Sequence, residues 1–247
     1  MKKQINSLVM VCIATIITFT ACKKDNNGPS QKGLAFHLHS LVGNQEAVYD
    51  TTYLKDGRQF KLSDYRYYIS NIVLIKSDDS EYPLTGKVIL ANPSQNEYEL
   101  GDVPVGEYKG FRFMLGLDSA TNHMDPTTYG ASDPLAIQTN PIHWSWNSGY
   151  IFFKIEGDVD TTLAANGTPD YEFFYHIGLD EYSRTIDFST SAFEVVGDAD
   201  NEIGLTFDLN KALNNVDMRV ENETHTFNNT TLATKIASNW QSAFELE

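Results

Sequence analysis

Six histidines carry most of the metal-binding chemistry available to this sequence. His37 and His39 stand two apart in AFHLHS, so on a strand they share a face. There they can reach one ion together, or sit as polar residues on a solvent-facing edge. His123 lies in a long stretch punctuated by proline and glycine, and His143 directly precedes two tryptophans. His176 sits in YEFFYHIGL, on the face opposite Tyr171, Phe173, Tyr175, Ile177 and Leu179, while His225 precedes a helical segment. None of them forms HExxH or a Cys/His finger. The 2 cysteines, Cys12 and Cys22, lie near the N-terminus. The rest of the chain therefore has no thiolate zinc site and no cysteine nucleophile, and imidazole, carboxylate and aromatic groups remain.

Enzyme signatures are missing. GxSxG, the P-loop and GxGxxG do not occur. Carboxylates are so abundant that no pair, Asp125 and Glu156 for example, stands out as catalytic. DADNE (198 to 202) is acidic but lacks EF-hand spacing, and it reads as a hairpin turn. The expectation is a protein that binds and does not catalyse. The other concentrated feature is HWSWNSGY (143 to 150), which holds two of the 3 tryptophans. On a strand, Trp144 and Trp146 point to one side. They are core residues, a stacking platform for a ligand, or part of a chemical site.

Strands must position these groups. FRFMLGL puts Phe111, Phe113, Leu115 and Leu117 on one face, after the turn residues Pro104 and Gly106. YIFFKIEG alternates Ile151, Phe153 and Ile155 against Tyr150, Phe152 and Lys154; IGLTFDL alternates Ile203, Leu205, Phe207 and Leu209. YRYYISNIVLI (65 to 75) is aromatic and β-branched enough for a long strand. In the segment 230 to 244, Leu232, Ile236, Trp240 and Phe244 recur every four residues, a helical stripe with Asn229 or Thr230 as its cap. Trp240 is then a core anchor. The expected fold is all-β, a single β-sandwich-like domain over residues 33 to 247 with one C-terminal helix. The stretch from Asp118 to Ile142 shows no periodicity and is long enough to suggest a functional loop.

The N-terminus bounds the compartment. Lys2 and Lys3 precede an apolar run from Leu8 to Phe19, too short for a membrane span but suited to a signal peptide. FTAC then resembles a lipobox, which makes residues 1 to 21 a lipoprotein signal peptide and Cys22 the lipidated residue. Residues 22 to 32 are a polar, flexible tether. This places the domain in the bacterial cell envelope, held by its lipid in the periplasm or at the outer-membrane surface. The formal charge of −15 repels nucleic acid and specifies no other ligand.

SDYRYYISNIVLI, VPVGEYKGFRFMLGLD, TNHMDP, DPLAI, HWSWNSGYIFFKIEG and YHIGLD occur in that order. Together they resemble the MbnP-like family of exported copper-binding proteins, over most of residues 34 to 209. The resemblance implies a β-rich domain with copper as its cofactor. It also implies a site of histidines and kynurenine, the latter made from tryptophan with a di-haem tryptophan-oxidising enzyme as partner. Intact indole offers only an N–H donor, whereas opening the ring frees an aromatic amine that ligates metal. Carried onto this chain, the resemblance points to His176, His123 and His39 as ligands and to Trp144, as kynurenine. Trp146 and Tyr150 become supporting or platform aromatics. The function implied is copper capture, storage or delivery. The alternative is a metal-free surface module that binds ligands or mediates adhesion through its aromatics.

Overall fold

The computed structural model describes residues 30 to 144, 148 to 197 and 199 to 247. The expected signal peptide, Cys22, most of the expected tether and Trp146 lie outside the described residues. The first strand begins at Gln31, so the end of the polar stretch already belongs to a sheet.

Two curled sheets pack face to face. In the smaller, Phe244–Leu246, Asn201–Asp208, Gln31–Val42 and Gln45–Glu46 lie in that order, and Glu97–Pro104 pairs with the first strand. In the larger, the principal order is Arg184–Phe188, Gly106–Leu115, Arg58–Lys76, Ile151–Val159, Tyr171–Gly178 and Glu223–Thr224. Alternation puts Phe36 and Leu38 from one sheet against Tyr67, Phe111, Phe113 and Phe153 from the other, all buried. Aromatic contacts tie the layers, including Phe36 to Phe111 at 5.7 Å and Tyr67 to Phe207 at 4.7 Å between ring centres. The expected β-sandwich is the fold.

Two expectations change in detail. The helical stripe divides into Thr230–Ser238 and Trp240–Ala243, and Phe244 opens a strand. Asn239 sits at the break and donates its side-chain amide to the carbonyls of Ala212 and Asn214. Trp240 is fully buried, 5.5 Å from Phe153, as a core anchor should be. The DADNE segment is no hairpin turn. Phe193–Val195 before it belongs to the large sheet and Asn201–Asp208 after it to the small one, so the chain crosses between layers there. Asn201 holds the crossing by accepting from Val196 N at 2.8 Å.

The aperiodic stretch from 118 to 142 covers the outer face of the large sheet. Leu135 and Ile142 join Tyr68, Leu117, Tyr150, Ile151 and Phe152 in a second, smaller apolar cluster. The Tyr68 and Tyr150 hydroxyls donate to the carbonyls of Pro134 and Leu135. Its lack of periodicity follows from its role as a lid with buried patches and no strand partner. No helix of the described residues is long and apolar enough to cross a membrane.

Candidate metal centre

The same outer face carries a polar stripe beside the lid. His176 stands opposite Lys154, and Phe174 opposite Glu156, in antiparallel register. Its Nε2–H donates to Glu156 Oε1 at 2.8 Å, and Lys154 Nζ lies 3.0 Å from the same oxygen. Lys154 is buried and also meets Asp64 Oδ2 at 3.0 Å, so the buried charges are paired. The His176 bond, with Lys154 behind it, lowers the Glu156 carboxyl to about 2. A carboxylate on Nε2 fixes the His176 tautomer and leaves its Nδ1 as an acceptor.

His225 meets that nitrogen. Glu223–Thr224 adds to the large sheet in parallel with the His176 strand, and the chain then turns sharply. Thr226 takes a positive φ of 66°, and Phe227 N–H donates to His225 O at 2.7 Å, closing a γ-turn. The buried Thr226 hydroxyl donates to His176 O at 2.7 Å and accepts from Gly178 N at 3.1 Å. This stitches the turn onto the strand and sets His225 Nδ1 2.9 Å from His176 Nδ1. The Phe174 ring lies 4.5 Å from the His225 ring. Burial, reinforced by the neighbouring His176, lowers the His225 pKa and favours neutral imidazole, the form that ligates metal.

Trp144 packs beside the His176 strand. A Cβ on Gly178 would lie 2.7 Å from Trp144 Cζ3 and 2.9 Å from Cη2, so the indole occupies the missing side chain's place. Residues 176 and 178 share a strand face, which puts Trp144 on the side of His176. Its other face meets Phe227, two residues beyond His225, at 5.2 Å between ring centres. His143 Nδ1–H donates to Trp144 O at 2.5 Å and the ring stands edge-on to Tyr150. Buried Asn122 locks these segments: its Oδ1 accepts from Tyr150 N at 2.8 Å and its Nδ2 donates to Asp180 Oδ1 at 2.7 Å. Gly149 has φ +79°, and a Cβ there would stand 2.4 Å from Asn122 Oδ1, so only glycine fits.

The predicted site residues divide. Trp144 packs at Gly178, two residues along the strand from His176. His123 is turned to Asp180, with Nε2 3.4 Å from Oδ2, and is half exposed. His39 belongs to the small sheet, paired with His37, because the first strand lies in the opposite layer. Tyr150 is fully buried and is no platform, since its ring packs edge-on to Tyr68 at 5.6 Å. His225 takes the partner's place beside His176. Sequence spacing offers no signal for it, because the pairing depends on a two-residue strand far along the chain. Among the described residues, no group of three or more His, Cys, Asp or Glu side chains is arranged to hold a metal ion. The centre is a pair of imidazoles with an orienting carboxylate and an aromatic wall.

A family model described as MbnP matches residues 31–231. Among solved structures, the chain is similar to MbnP from Methylosinus trichosporium, with a TM-score of 0.57 and 16% identity, over 80% of this chain and 84% of that one. At this identity the likeness speaks for the fold. No curated protein matches the sequence. Trp144 stands outside any strand, since the expected tryptophan strand begins only at Ile151. The family match spans the Asn-His-x-Asp loop, the tryptophan segment and the His-x-Gly strand, and the chain belongs to the MbnP family.

Proposed function

We propose that this is a lipid-anchored copper-binding protein of the bacterial envelope, serving in copper capture, storage or delivery, with copper held between His176 and His225. The observation that carries the reading is the approach of their Nδ1 atoms to 2.9 Å, with Glu156 orienting one ring from its far nitrogen. Imidazole suits copper, and a carboxylate behind a ligating histidine raises its basicity and fixes its direction. On binding, His225 moves its proton from Nδ1 to Nε2 and the two Nδ1 atoms part from their hydrogen-bond distance to admit the ion. An imidazole pair beside aromatic rings suits the cuprous ion, which accepts two or three donors. We infer Trp144 as a third donor after oxidative conversion to kynurenine by a di-haem partner enzyme, a reading supported by its packing at Gly178, two residues along the strand from His176. Family membership and the lipobox-like FTAC at Cys22 support the export and anchoring.

The copper reading is tested by titrating the reduced protein with Cu(I) against a chromogenic competitor. Wild type takes up copper in competition, whereas His176→Ala and His225→Ala each lose most of that affinity. Unchanged affinity in both variants would sink the site assignment. The metal-free platform reading is weakened by the burial of Tyr150, and it predicts ligand binding that persists in chelator.

A further inference from the structure

The small sheet carries a second imidazole pair. His37 and His39 project from the outward face of the first strand, since Phe36 and Leu38 between and beside them are buried. Their Nε2 atoms stand 2.9 Å apart. His39 Nδ1 lies 2.6 Å from Glu46 Oε1, which makes it the donor and leaves Nε2 with its lone pair directed at His37. On the other side, His37 pairs with Gly204 in the neighbouring strand. Gly204 leaves room that Glu247 fills: a Cβ there would meet Glu247 Cβ and Oε2, each at 3.0 Å. Glu247 N–H donates to Gly204 O at 3.2 Å, which anchors the residue over the strand. Its Oε1 then lies 3.7 Å from His39 Nε2.

We propose that His37, His39 and Glu247 form a second metal site, for a borderline divalent ion of the zinc class, separate from the copper pair. Donors on a tetrahedral ion with bonds of roughly 2.0–2.1 Å are separated by about 3.3 Å, and the separations of 2.9 and 3.7 Å lie on either side of that value. The three side chains do not enclose an ion as they stand: closing the site needs Glu247, a partly exposed side chain, to swing inward and the two imidazoles to part from 2.9 Å. On binding, His37 moves its proton from Nε2 to Nδ1 and both Nε2 lone pairs face the ion. Glu46 holds the His39 ring by the carboxylate–imidazole arrangement common behind zinc ligands. Mixed imidazole and carboxylate donors, without sulfur and open to solvent, favour a divalent ion over Cu(I).

The experiment is calorimetric titration of untagged, copper-free protein with zinc sulfate. Wild type and the His176→Ala/His225→Ala variant bind zinc equally, while His37→Gln/His39→Gln loses saturable binding. Glu46→Gln weakens it by about tenfold. In parallel, zinc shifts the imidazole proton resonances of His37 and His39 in the wild-type spectrum, a readout that needs no variant. Zinc binding unchanged in His37→Gln/His39→Gln, or lost only with His176 and His225, would overturn the proposal. Either outcome leaves the copper reading to its own test.

Discussion

Gly178 has no side chain because Trp144 occupies the space where one would go, and Tyr150 O closes the same space at 2.4 Å. Gly178→Ala therefore forces the indole or the strand to move. The expected cost is about 1–3 kcal/mol in urea unfolding, with weakened copper uptake alongside. A variant as stable as wild type would mean that Trp144 packs elsewhere. The ionisable pair beside it sets the acid response. Burial lowers His225, so its neutral form contributes stability above its ordinary value of 6.5, and that stability is lost as pH falls through the lowered value. Glu156 contributes above its ordinary value of 4.5 and loses that contribution as pH falls towards about 2. In metal-free protein, His225→Asn should flatten the decline that begins near pH 6.5, and Glu156→Gln the later one. Urea midpoints across pH measure both, and superimposable profiles for wild type and variants would contradict the assignment.

The Thr224-to-Asn229 turn is the element that makes a site from one strand histidine. Removing the Thr226 hydroxyl leaves His176 O and Gly178 N without their partner in a buried place. Thr226→Ala should cost about 1–3 kcal/mol and lower copper affinity in a protein that still folds. Affinity equal to wild type in that variant would show that the turn does not set the imidazole pair. Much at this scale was legible in the sequence. Period-two alternation assigned His37 and His39 to one face and His176 to the face away from the core, because a strand's face is fixed by parity alone. Partners across the sheets were not legible. His225 reaches His176 through a short parallel pairing, and His39 is kept from it by membership in the other layer, neither of which local spacing encodes. The crossing at DADNE was missed for a related reason: turn residues mark a change of direction but not which sheet receives the next strand.

At the scale of the whole molecule, one large core between the sheets and a smaller one beneath the lid hold the fold without a disulfide. Trp240 joins the C-terminal helices to the large core through Phe153, and Trp240→Ala should cost about 3–5 kcal/mol while leaving the imidazole pair on the far face intact. Denaturant unfolding followed with copper uptake separates these effects, and a large loss of affinity with little loss of stability would contradict that division. The lid, the tryptophan segment and the turn that follows the His-x-Gly strand meet through Asn122, which explains why motifs far apart in sequence mark one place in the fold. The central claim is that this place holds copper. The most direct measurement is a copper-edge anomalous difference map from crystals of the copper-loaded protein. The account predicts a peak between the Nδ1 atoms of His176 and His225, beside residue 144. A peak at His123 and Asp180, or at His37 and His39, with none at the His176–His225 pair, would contradict it.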